Sequence, residues 1–326
     1  MLVGIMLLLF SSIFFTAKPA HQLIARLPLP SPEGFSAGGA PLPPSPYVVT
    51  RPPVPLALDT STFPDQLTAV SALVVDDKTN TVLFKKNPYA VRSLASISKL
   101  MSALVMLDLP MHWSSTTVVE ANDIHEDHQI SVGQKYTLDQ LWHIALVGSS
   151  NSAIMVLVRN SGISESDFVE RMNAKAKALG LMTLRFVEPT GLDDRDMGTA
   201  MDIVRLLKAA LAKEKIASTL QTPSYDAVPI GGKKHIVWST DWLLTQWIPN
   251  SFDKGQVVGK TGYIDESGYN FTVRISDTDG HVIRLAVLGA ASDAERFSEA
   301  RDLALWAFNH FRWPGDPNYK KLAAAE

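Results

Sequence analysis

The sequence predicts a mixed α+β domain with one antiparallel sheet built from both ends and a helical middle. Three observations carry this. Short apolar or β-branched runs occur early, at residues 72–75 and 81–84, and late, at 257–259, 270–275 and 282–288. Turn residues join the early pair across 76–80, and Asp279-Gly280 joins the last two. Between the two groups, apolar residues recur at helical spacing and helix start signals recur with them. Strands at both ends with helices between suit one sheet closed by both termini and covered by helices.

Elements follow in order. Residues 2–15 are nearly unbroken apolar. That is short for a membrane span of about 20 residues and fits the apolar core of a secretory signal. No Lys or Arg precedes it and no A-x-A site follows, so a retained signal anchor is the other reading of residues 1–27. Residues 28–55 hold ten of the twenty prolines, which predicts an extended tether over 28–62. The folded domain is expected over 63–312, with a tail over 313–326.

Within that domain, residues 96–107 read as a helix with a buried apolar face. Thr137 to Gln140 forms a capping box opening a helix through Val147. A helix is expected over 165–179, stopped by Gly180. Thr199 caps another to about Ala212, and a second capping box, Ser292 to Glu295, opens a last helix to about Phe311.

Composition bounds the chemistry. The 326 residues carry 30 basic and 33 acidic side chains, net charge −3, which gives no electrostatic case for nucleic acid. There is no cysteine, so disulfides and thiolate metal sites are excluded.

Three strings occur in order: Ser96-Ile97-Ser98-Lys99, Ser149-Ser150-Asn151 and Lys260-Thr261-Gly262. Read as S-x-x-K, S-x-N and K-T-G, they are the elements of a penicillin-recognising serine acyl-transfer site. They stand 53 and 111 residues apart, which leaves room for folded structure between them. A serine hydroxyl needs a base, and Lys99 lies one helical turn from Ser96 on the same face. To act as base the amine must be neutral, so burial and neighbouring cations should depress its pKa. Ser149 can pass a proton to a leaving amine, and Asn151 can hold a substrate amide and Lys99. Lys260 offers positive charge to a substrate carboxylate, Thr261 offers a hydroxyl, and Gly262 lets a peptide lie close to the backbone. The second S-x-x-K, Ser251 to Lys254, sits in a polar loop and reads as coincidence. His125-Glu126-Asp127-His128 is the densest His/acid cluster, is not H-E-x-x-H, and reads as an exposed loop.

With these residues in view, the chain resembles the low-molecular-mass penicillin-binding proteins, the serine D-alanyl-D-alanine peptidases. The stretch from Leu94 to Ala103 is similar to their nucleophile helix. Arg185 to Leu192 is similar to their F-x-x-P-x-G-L turn, and Lys260 to Tyr263 with Gly268-Tyr269-Asn270 to their third strand and its return. The Phe186 to Leu192 wording and the short stretch after Lys260 resemble the D-alanyl-D-alanine endopeptidase branch. The approach to K-T-G, residues 238–259, is longer than the family pattern.

The resemblance implies a β-lactamase/transpeptidase-like fold and an acyl-enzyme on Ser96. Lys99 is then the base, Ser149 the proton relay and Asn151 a positioning group. Lys260 and Thr261 bind the carboxylate end, and the N–H groups of Ser96 and Tyr263 form the oxyanion hole. It implies no cofactor and no metal, peptidoglycan as substrate, β-lactams as covalent inhibitors, and an exported protein, periplasmic or tethered to the inner membrane. The favoured reaction is cleavage of D-alanyl cross-links; removal of terminal D-alanine is the alternative. Two rivals are a class A-like β-lactamase, for which Glu188 is the tempting deacylating residue, and a wall-binding module without activity.

Overall fold

The structure is a computed structural model that describes residues 52–63, 66–125 and 127–324. The expected signal segment and most of the expected tether lie outside the described residues. Among the described residues, no helix is long and apolar enough to cross a membrane.

The domain is organised on a five-stranded antiparallel sheet. Its strands run in the order Val257–Ile264, Gly268–Ser276, Val282–Ala290, Ser71–Asp76, Val82–Lys86. The first-named strand, which carries Lys260-Thr261-Gly262, is therefore an edge strand. Early and late segments meet where Leu285 pairs with Val74 and Leu288 with Ser71. All six residues of Ser71–Asp76 are buried, because the sheet is covered on both faces. Side-chain alternation divides them: Leu73 and Val75 enter one apolar core, Ala72 and Val74 the other.

The first core is filled by helices α1 (Lys99–Asp108), α2 (Leu138–Val147), α3 (Asn151–Arg159), α4 (Glu165–Ala178), α5 (Ala200–Leu211) and α6 (Glu214–Leu220). The second is closed by α7 (Asp293–His310), which buries Phe297, Ala300, Leu303, Ala304 and Ala307. Caps set these helices as the sequence predicts. Thr137 accepts from Gln140 N and the Gln140 side chain answers the Thr137 N–H, while Thr199 accepts from Asp202 N. At α7 Ser292 accepts from Glu295 N, which is one half of the expected box.

Three expectations shift. Ser96 is not in the α-helix: Ala95–Ser98 is a 3-10 turn and the α-helix begins at Lys99. The strand expected over 257–259 runs on through the K-T-G string to Ile264. Residues sequence assigned to a tether and a tail are part of the fold. Leu56–Ala57 pairs with Phe311–Arg312, Tyr319 Oη donates to Val54 O at 2.8 Å, and Trp313 Nε1 donates to Asp76 Oδ1 at 2.7 Å. Two-residue strands carry no periodic pattern, so neither segment was legible as strand.

Candidate active site

The three strings converge. Lys99 Nζ lies 2.6 Å from Ser96 Oγ, 2.6 Å from Asn151 Oδ1 and 2.7 Å from Thr190 O. Lys260 Nζ lies 2.6 Å from Ser149 Oγ and 3.0 Å from Thr261 O. Thr261 Oγ1 lies 2.6 Å from Thr240 Oγ1. The exposed Ser251, by contrast, sits on a bend outside this group.

Two positions at this group have strained backbone. Ala95, before the nucleophile candidate, has φ 50°, and Ser149 has φ 59°, both in the left-handed region that non-glycine residues avoid. The surroundings enforce this. Asn270 Nδ2 donates to Ser93 O at 2.9 Å and Leu94 O at 3.2 Å, tying the segment before Ser96 to the sheet. Gly191 (φ 86°) backs directly onto Ala95: a Cβ there would stand 1.9 Å from Ala95 O. The sequence expected Gly262 to make room for a substrate. Instead its missing side chain makes room for the nucleophile turn, since a Cβ would meet Leu94 O at 2.7 Å and Ser96 N at 3.1 Å. The site is thus held by backbone wedged between two glycines.

The F-x-x-P-x-G-L turn is the rear wall. Glu188 folds its carboxylate over its own turn, accepting from Thr190 N at 2.6 Å, Leu192 N at 2.7 Å and Gly191 N. Ser102 on α1 donates to Pro189 O at 2.5 Å. This holds Thr190 O where Lys99 meets it. A carboxylate so engaged is not free to activate water, which weighs against the β-lactamase reading.

The His125–His128 cluster is more than an exposed loop. Asp127 accepts from Ser150 Oγ at 3.0 Å and from Ser152 N at 2.8 Å, fixing the start of α3 and with it Asn151.

Electrostatics separates the lysines. Burial lowers Lys99 to about 7, and the Glu188, Asp127 and Asp196 carboxylates oppose that shift. The expected influence of neighbouring cations falls on Lys260 instead. Burial first, then the charges of Lys99 and Arg296, push it well below the usual lysine range, with Asp241 opposing. Asp241 is itself raised to about 6 by burial, despite accepting from Leu244 and Leu243 N. Arg296, from α7, donates to Gly262 O at 3.1 Å and braces the K-T-G strand from behind.

Sequence reasoning missed Thr240, Asp241, Asn270 as a brace, and Arg296. Only Asn270 had a local signal, in Gly268-Tyr269-Asn270 after K-T-G. Tyr263 follows Gly262 on the edge strand; its ring is stacked on Tyr269 at 4.3 Å and is 45% exposed.

A hydroxyl beside a buried amine of near-neutral pKa, an edge strand with a second lysine, and a covered sheet define a penicillin-recognising serine acyl-transfer enzyme. The sequence matches the peptidase S11 family, D-alanyl-D-alanine carboxypeptidase, over residues 58–292, and the chain belongs to that family. It is a serine D-alanyl-D-alanine peptidase. A D-alanyl-D-alanine endopeptidase of Pseudomonas aeruginosa is 31% identical, covering 74% of this chain and 77% of its own. One of Escherichia coli is 28% identical, covering 83% and 88%. Among solved structures, a D-alanyl-D-alanine carboxypeptidase of Mycobacterium tuberculosis superposes with TM-score 0.67 at 26% identity, over 78% of this chain and 95% of that one. The Streptomyces K15 DD-transpeptidase shares the fold, with TM-score 0.67 at 23% identity over 75% and 98%.

Proposed function

We propose that this chain cleaves D-alanyl cross-links in peptidoglycan through an acyl-enzyme on Ser96. The observation that carries the mechanism is the Lys99 amine, buried and within 2.6 Å of the Ser96 hydroxyl. The neutral amine takes the Ser96 proton as the oxygen attacks the D-alanyl carbonyl. The N–H groups of Ser96 and Tyr263 receive the developing oxyanion, since the two backbone segments run side by side at Gly262. Ser149, hydrogen-bonded by Lys260, relays to the leaving amine the proton that Lys99 took from Ser96, so the C–N bond breaks and Lys99 returns to its neutral form. Water then releases the acyl group.

Lys260 and Thr261 receive the carboxylate just beyond the scissile bond. A carboxylate placed there favours the charged form of Lys260 and offsets the effect of its cationic neighbours. In a terminal dipeptide this carboxylate belongs to D-alanine. In a cross-link it belongs to the D-centre of a diamino acid. The endopeptidase reading is supported by the named endopeptidases among the relatives and by the Phe186 to Leu192 wording. The carboxypeptidase reading is the alternative, favoured by the same Lys260 and Thr261, which would receive the carboxylate of a terminal D-alanine equally well. Peptidoglycan lies outside the cytoplasm, so the reading includes export, with residues 1–27 as signal or anchor.

Incubation of the purified domain with cross-linked and uncross-linked muropeptides tests this. Dimers should be split into monomers. Loss of D-alanine from pentapeptides with dimers intact would establish the carboxypeptidase reading instead.

A further inference from the structure

We propose that Trp238 and Trp247 form a docking platform for the stem peptide on the leaving side of a cross-link, and that this platform favours cross-linked over terminal substrates. This rests on the endopeptidase reading.

The two indoles are unusual surface residues. Trp238 is 53% exposed and Trp247 is 56% exposed, with Ile236 beside them at 50%. Their rings lie 6.5 Å apart, and Trp247 lies 5.7 Å from Trp242, which stacks on the buried Phe297 at 5.4 Å. An aromatic array thus runs from the second core to solvent. It is built on a fixed loop. Asn250 Nδ2 donates to Leu243 O and Ile248 O at 3.0 Å each, and its Oδ1 accepts from Phe252 N at 3.0 Å. Arg301 clamps Pro249 O from α7 at 3.0 Å. Gln246, just before Trp247, has φ 63°, a strained left-handed conformation. A loop pinned this firmly, with a strained residue beside an outward tryptophan, presents an apolar surface rather than failing to bury one.

Its position identifies the occupant. Trp238 precedes Thr240 by two residues, about 7 Å of extended chain. Thr240 Oγ1 in turn lies 2.6 Å from Thr261 Oγ1, where the leaving half's carboxylate is received. A leaving group larger than D-alanine must pass out beside this end of the strand. The platform's chemistry fits that leaving half. From Ile236 to Phe252 there is no Lys or Arg, and the one acidic residue, Asp241, is buried. An uncharged indole pair suits the methylene chain of a diamino acid and the flat amides of its stem. A terminal D-alanine ends before reaching it.

The test compares wild type with the Trp238→Ala/Trp247→Ala double variant and the conservative Trp238→Phe variant. Three rates are read: β-lactam acylation, pentapeptide trimming and cleavage of cross-linked dimers. The expected result is a fall of about tenfold in kcat/KM for dimers, carried by KM, with the other two rates within about twofold. Trp238→Phe should keep most of the dimer activity. Equal loss on all three rates, or no loss on dimers, overturns the platform. Competitive inhibition of dimer cleavage by a chito-oligosaccharide in wild type but not in the double variant would make the surface a sugar site and overturn the stem-peptide occupant. A concentration-dependent dimer of the protein that the double variant abolishes would assign the surface to a second copy, with the same consequence. Failure of wild type to cleave any cross-linked dimer strikes the endopeptidase reading itself, and the platform falls with it.

Discussion

The side-chain nitrogen of Lys99 lies 2.6 Å from the hydroxyl oxygen of Ser96, one helical step from a backbone forced into a left-handed turn at Ala95. A lysine in water at neutral pH is charged and no base. Here burial supplies the neutral form.

The first prediction concerns pH. Burial holds Lys99 at about 7 against the pull of Glu188, Asp127 and Asp196. The basic form is the neutral amine, so the rate of β-lactam acylation should rise with pH, about tenfold per unit below that value, and level off above it. Stopped-flow acylation between about pH 5 and about pH 9 reads this directly. A profile flat across that range rules Lys99 out as the base.

Ser96→Ala should abolish β-lactam labelling and peptidase activity while leaving the thermal transition nearly unchanged, since the change removes only a partly exposed hydroxyl. Mass spectrometry of the treated protein locates the adduct. Label on Ser251, or label surviving in Ser96→Ala, assigns the nucleophile elsewhere.

Gly262→Ala tests the wedge. The new Cβ would stand 2.7 Å from Leu94 O and 3.1 Å from Ser96 N, so the nucleophile turn or the strand must move. A displacement of ångström scale at the reacting atoms should cost about 100-fold in acylation rate. Circular dichroism should show the fold retained. Near-normal acylation by this variant would mean the two segments are not mechanically coupled.

Asp196 provides a stability test. It is buried, accepts from Val187 N at 2.7 Å through Oδ1, and has no hydrogen-bond partner at Oδ2 among the described residues. Burial raises it from 3.8 to about 7, opposed by the Val187 N–H. A raised carboxyl contributes stability below the unfolded value and loses it as pH rises through the folded value. Asp196→Asn keeps the Oδ1 acceptor and removes the charge. Its advantage should be absent below 3.8, grow up to about 7 and stay constant above. At the plateau the shift corresponds to about 4 kcal/mol, a gain in Tm on the order of 10 °C. Calorimetry at several pH values decides it; a gain that does not vary with pH contradicts the assignment.

Much of the site was legible because its chemistry is written in short strings. Ser96 and Lys99 are local neighbours, and helical spacing alone places them together. The capping box at Thr137 and the single cap at Ser292 are equally local. What was hidden depends on segments far apart in the chain. Arg296 has an ordinary local context, and the local signals at Asn270 and Asp127 do not report their roles, which exist only after the fold has brought these residues to Gly262, Leu94 and Ser150. The 3-10 turn at Ser96, where local spacing predicts α-helix, has the same origin. The conformation of Ala95 answers to Gly191, and no local propensity reports that.

The wedge of Gly262 against Leu94 and Ser96 also sets when this protein can become active. What the Ser96 turn leans on from the sheet side, Gly262 and Asn270, is encoded more than 160 residues after the nucleophile. A nascent polypeptide that has emerged only through α6 contains the nucleophile and its lysine but not the strand that holds them in register. Such a chain has nothing to trap a β-lactam or to cut a peptide. The enzyme arms itself only once residues 257–270 have been made and folded against the turn, so a shorter nascent chain is chemically silent.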